Sequence, residues 1–207
     1  MPEDLPIYSE SQTLRSGLQF VDLLRWKNVD TSAIWAKSDG FIALMEGAKS
    51  VAEARSELTV PGKDTLLRTH GILFKGESAA GRLRESGIAG RYRGQDCPDP
   101  EFLDRSLDNF FTWMNAESIA EIHPIEKAAL ALTRIVDVWP FAIGNLTTAV
   151  ILANAYLKQS GLAPFFVLPE HMPEFDKIVA QAVTIETQPL VNAIHQTIKR
   201  EMEGLVS

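Results

Sequence analysis

A single cysteine, Cys97, among 207 residues excludes a scaffold stapled by internal disulfides and makes a reducing compartment the simplest home. Cys97 has no His or acid at a spacing that suggests nucleophilic catalysis. His70, His123, His171 and His195 show no zinc-like spacing with each other, with Cys97 or with an acid, so no metal site is expected. Long apolar runs are missing too. None approaches the roughly 20 residues that a membrane-spanning helix needs. The first residues, Met1-Pro2-Glu3-Asp4, are acidic and lack the apolar stretch of a signal peptide. A basic excess is absent: 20 Lys and Arg against 27 Asp and Glu give a net charge of −7, which argues against general nucleic-acid binding. There is no GxxxxGK[ST] phosphate loop. These absences predict a cytoplasmic protein without membrane or nucleic-acid partners. Secretion as an effector into another cell stays compatible with them.

What is present is apolar periodicity. With 45% hydrophobic residues the chain can bury a core, and one compact domain is the default. Leu66, Leu67, His70, Leu73 and Phe74 share one helical face. Leu103, Leu107, Phe110, Phe111 and Met114 do the same after Asp99-Pro100-Glu101, where a capping Asp, a first-turn Pro and an acid announce a helix start. Ile125, Ala128, Ala129, Leu132, Ile135 and Val136 form a stripe behind Pro124. Leu146, Ala149, Val150, Ala153, Tyr156 and Leu157 form another, ended by Gly161 and Pro164. Phe175–Ala182 and Val191–Met202 add two more, and helices around Leu18–Trp26 and Ala33–Ala48 are expected before them. The spacing predicts an all-α bundle.

The stretch Gly81–Asp96 interrupts this pattern. It carries Arg82, Arg84, Arg91 and Arg93 and reads as an exposed hairpin or loop. The cluster is either a solvated edge or a grip for an acidic partner segment or a phosphate.

The most informative stretch is Val138-Trp139-Pro140-Phe141-Ala142-Ile143-Gly144-Asn145-Leu146-Thr147-Thr148-Ala149-Val150. It resembles the Fic family signature, His-Pro-Phe-x-Asp/Glu-Gly-Asn-Gly-Arg-x-x-Arg, keeping Pro140, Phe141, Gly144 and Asn145. The resemblance runs over roughly residues 60–185, with His123–Ala129 as the helix before the loop and Ala149–Gly161 as the helix after it. It implies a Fic-like helical bundle with a small β-hairpin flap near residues 82–96. It also implies three segments: an N-terminal helical extension (1–60), the Fic-like core (61–185) and a C-terminal helix packed on it (186–207). The activity implied is AMP transfer from ATP, with Mg²⁺, to a hydroxyl of a target protein.

Against that activity stand the substitutions. Trp139 occupies the place of the base, and an indole N–H donates but accepts no proton near neutral pH. General-base help is worth about a hundred- to ten-thousand-fold in rate. Ile143 stands where the metal carboxylate belongs and offers magnesium no oxygen. Thr147 and Val150 replace two phosphate-binding arginines. Leu146 replaces a small residue and is expected to pack inward. Pro140 is expected to hold Trp139 extended, and Phe141 to anchor the loop in the core. Gly144, Asn145 and Thr147 head a helix whose free N–H groups suit an anion; the other reading is that Gly144 and Asn145 only shape the turn. Asp137 reads as a solvated helix residue. Glu46, followed by Gly47, resembles the family's N-terminal inhibitory motif, although Ile42 stands where its Ser/Thr belongs and Val150 where its arginine partner belongs. An ordinary charged helix residue is the plainer reading of Glu46.

No catalytic residue is therefore assigned. The expectation is a binding or regulatory Fic-like protein without efficient catalysis. A transferase with a rearranged site, or a regulatory partner of an active Fic protein, are the alternatives.

Overall fold

The computed structural model describes residues 29–88 and 97–206. The helix expected around Leu18–Trp26 lies outside them, as do Arg91 and Arg93. The described helices run α1 Ser32–Ala43, α2 Val51–Glu57, α3 Lys63–Leu73, α4 Pro100–Met114, α5 Glu117–Ala120, α6 Pro124–Val138, α7 Asn145–Gln159, a 3₁₀ turn Pro169–His171, α8 Met172–Thr184 and α9 Gln188–Val206. No β-strand occurs among the described residues, so the fold is all-α.

The antiparallel pair α6 and α7 is the centre of the molecule. His123 caps α6, its Nδ1 accepting from the Ile125 N–H at 3.2 Å, and Pro124 takes the first turn, where a missing N–H leaves nothing unsatisfied. α7 is buried from Asn145 through Leu157 without interruption. A helix apolar all round belongs in the interior, and α2, α3 and α6 pack around it. α9 lies on α6 and α8.

Four polar residues enter the core on α7: Asn145, Thr147, Thr148 and Asn154. Each must be hydrogen-bonded there, because a buried unpaired polar group costs roughly 1–3 kcal/mol. Asn154 holds both backbone groups of Phe165, donating to its carbonyl and accepting from its N–H, each at 2.8 Å. That contact fixes the segment leaving α7, after Gly161 (φ 70°) has ended the helix.

Candidate functional site

The signature loop, residues 139–144, joins α6 to α7 and is built almost wholly from backbone contacts. Asn145 repeats at the head of α7 what Asn154 does near its foot. Its Oδ1 accepts from the Phe141 N–H at 2.9 Å and its Nδ2 donates to the Phe141 carbonyl at 2.8 Å. The side chain is fully buried, so both ends of the amide serve the loop. Gly144 has φ +69°, and a Cβ placed there would stand 2.0 Å from Phe74 Cε2. The backbone lies directly against that ring, and no other residue fits. Of the two readings of Gly144 and Asn145, their described contacts are those that shape the turn.

His70, on α3, is the second bolt. Its Nδ1 accepts from the Gly81 N–H at 2.9 Å, which leaves Nε2 to carry the proton and donate to the Ile143 carbonyl at 3.1 Å. The ring stacks on Phe141, centroids 3.8 Å apart. Burial pushes its pKa down to about 4, so the ring is neutral, as this arrangement requires. His70 is thus a core histidine, as its stripe predicted, but one that joins three segments.

Arg84 is the third bolt, and it corrects the reading of the basic cluster. The cluster was expected on an exposed edge, yet Arg84 is buried. Its guanidinium donates to the carbonyls of Trp139 (Nε, 2.9 Å), Ser86 (2.8 Å) and Pro98 (2.5 Å), and its N–H donates to the Pro140 carbonyl at 2.9 Å. Burial lowers its pKa, but an arginine stays charged, and backbone carbonyl dipoles solvate it. Arg82 alone of the described pair is exposed. The described ends of the segment, 81–88 and 97–99, carry no strand; the Cys97 N–H donates to the Ile88 carbonyl at 3.1 Å and brings them together.

Trp139 is not extended. It sits at φ 48°, ψ 59°, in the left-handed region, as the C-cap of α6. Its N–H closes on the Ile135 carbonyl at 2.8 Å, completing the last turn of α6. The preference imposed by Pro140 gives way where Arg84 holds the carbonyls of Trp139 and Pro140. The indole is half-buried and packs on the core, in keeping with a packing residue.

At the head of α7 the charged side chain of Glu46 meets Thr147. Glu46 Oε2 accepts from the Thr147 N–H and from its hydroxyl, both at 2.8 Å. Glu46 is not a helix residue: it follows the end of α1 in a turn, Met45–Ala48, closed by the Ala48 N–H on the Met45 carbonyl at 3.0 Å. Both central residues have positive φ, Glu46 48° and Gly47 72°, the pattern of a type I′ turn. A left-handed conformation costs a non-glycine residue roughly 1–2 kcal/mol. Here it aims a carboxylate at a helix N-terminus, where free N–H groups and the helix dipole favour negative charge. The Glu46 carboxylate stands where the sequence suggested a phosphate.

The remaining signature positions, Ile143, Leu146 and Val150, carry apolar side chains. Val150 and Leu146 are core residues, so Leu146 packs inward as expected. Ile143 is 38% exposed and offers a metal only a sec-butyl side chain, with no oxygen. Asp137, at the end of α6, is half-buried and pairs with Arg134 at 3.1 Å rather than standing solvated. Among the described residues no group of three or more His, Cys, Asp or Glu is arranged to hold a metal, and none of the helices described is long and apolar enough to cross a membrane.

The sequence placed Phe74 and His70 on an apolar stripe but did not show what they or Arg84 do at the loop, from which all three are distant along the chain. Only His70, a polar residue on an apolar stripe, gave a local hint.

A profile of the Fic/DOC family matches residues 58–157. Protein adenylyltransferase fic-1 of Caenorhabditis elegans is 34% identical over 116 residues, which are 56% of this chain and 22% of that protein. The chain spans roughly a fifth to a third of the length of the curated relatives it matches. Among solved structures, a Fic-1 fragment from C. elegans superposes with a TM-score of 0.66 over 97% of this chain and 66% of its own, at 21% identity. IbpAFic2, solved covalently tethered to Cdc42, gives 0.63 over 94% and 71%, at 15% identity. At these identities the structural likeness bears on the fold alone.

Proposed function

This chain belongs to the Fic/DOC family, and from that premise we propose that it is a catalytically impaired member acting by contact with a protein partner. The observation that carries the reading is the Glu46 carboxylate seated on the Thr147 N–H and hydroxyl. AMP transfer, the activity in the names of its relatives, needs that place for a phosphate. It also needs a base to take the hydroxyl proton and positive charge to offset the phosphates. Here Trp139, Ile143 and Val150 supply none of these, and Ile143, without an oxygen, does not fit a magnesium ion. What survives is the scaffold: a loop held by Asn145, His70 and Arg84 in the absence of the chemistry it would serve. A neighbour tethered to a protein, IbpAFic2 with Cdc42, supports a protein as the class of partner.

The Thr147 N–H and hydroxyl still form an anion grip once Glu46 is taken away. The deciding experiment incubates purified protein with labelled ATP and Mg²⁺, wild type beside Glu46→Gly, and follows label on protein. In parallel, calorimetry follows Mg-ATP binding to both. The expected result is no transfer by either and tighter ATP binding by Glu46→Gly than by wild type. Label transferred by the wild type at a rate above background would overturn the reading.

A further inference from the structure

We propose that Arg84 is a positioning residue that couples the two limbs ending at Ser86 and Pro98 to the conformation of Trp139. The geometry behind this is unusual in its economy. One guanidinium reaches the carbonyls of Ser86, on its own limb, of Pro98, on the other limb, and of Trp139, at the head of the loop. The same residue's N–H takes the Pro140 carbonyl. Trp139, meanwhile, is a large residue at φ 48°, a conformation that persists only where its surroundings over-determine it. Its N–H donates to the Ile135 carbonyl, and its own carbonyl accepts from Arg84. Arg84 thus gives a load on either limb a route to Trp139, and a change at Trp139 a route to both limbs. By linkage the effect is reciprocal.

The use of this coupling rests on the partner-binding reading above, since a partner touching either limb is what would load it. Its test does not, so the two can fail separately. Hydrogen exchange is followed at three amides in the whole protein: Cys97, which reports limb against limb; Phe141, which reports the loop through Asn145 Oδ1; and the interior of α7 as a control. Lysine keeps the charge but cannot span three carbonyls. Arg84→Lys is expected to speed exchange at Cys97 and Phe141 together, by roughly tenfold, the factor that about one lost net hydrogen bond implies, and to leave α7 unchanged. In a Trp139→Gly background, where the left-handed backbone needs no restraint, the same change should speed Cys97 and spare Phe141. Cys97 responding alone in the wild-type background, or identical responses in the two backgrounds, would overturn the proposal. Should Arg84→Lys fail to fold, the α7 amides will show it. Recovery of α7 protection in Trp139→Gly/Arg84→Lys then supports the coupling, and no recovery refutes it.

Discussion

Gly144 and His70 are the residues for which the structure leaves least freedom. At Gly144 two penalties coincide, a left-handed φ and a Cβ that would enter the Phe74 ring. Gly144→Ala should lower the free energy of unfolding by about 3–4 kcal/mol, read from urea denaturation. Adding Phe74→Leu should return the part due to the clash and leave the part due to φ. At His70 the argument is electrostatic. The folded pKa, about 4, lies below the unfolded value of about 6.5, so between them the unfolded chain binds the extra proton. The His70 contribution is whole above pH 6.5 and is lost as pH falls towards 4, at about 1.4 kcal/mol per pH unit and about 3 kcal/mol in all. His123, pushed by burial and the neighbouring His195 down to about 3, steepens the same slope. The check is the slope of stability against pH in that window: His70→Gln should flatten it by about one proton's worth, whatever it does to absolute stability.

Elements were legible where periodicity ran long. The stripes placed α3, α4, α6, α7, α8 and α9, because each carries apolar residues at helical spacing over three turns or more. The seven-residue α2 escaped: only Val51 and Ala54 on it are buried, too few for a period. The stripe drawn on α7 was too narrow, since burial on every side needs no amphipathic pattern. Asp99 does stand at the N-cap of α4, but its side chain makes no capping bond; Pro100 and the backbone suffice. The loop between α6 and α7 was legible in its spacing of Pro140, Phe141, Gly144 and Asn145, and illegible in its mechanics. Phe74, His70 and Arg84 reach it from more than fifty residues away, and nothing in the local sequence says so. The turn that carries Glu46 shows the same limit: Glu-Gly is a readable turn, whereas its aim at Thr147, a hundred residues on, is a property of the assembled bundle.

At the scale of the molecule, the chemistry and the scaffold have separate supports. One cluster of buried side chains runs from Ile34 on α1 to Met202 on α9, with α7 through its middle. Unfolding is expected to be a single cooperative event, with tryptophan fluorescence and far-ultraviolet dichroism tracing coincident transitions; separated midpoints would show that α1 and α9 detach first. Trp139, Ile143 and Val150 contribute no side chain to the polar fastenings that Asn145, His70 and Arg84 make, so the shape of the loop does not depend on a base or a charge at those three positions. Those fastenings carry a further consequence. Asparagine is the side chain that copies a peptide group, donor beside acceptor, and α7 is bracketed by two such copies, each docked on the backbone of a phenylalanine as one strand docks on another. An aspartate has the same outline and only one way to serve both partners: it must keep its proton. Asn145→Asp or Asn154→Asp should therefore yield a protein weaker than its parent at neutral pH that regains part of the deficit on mild acidification, the direction in which the histidines make the parent itself fail.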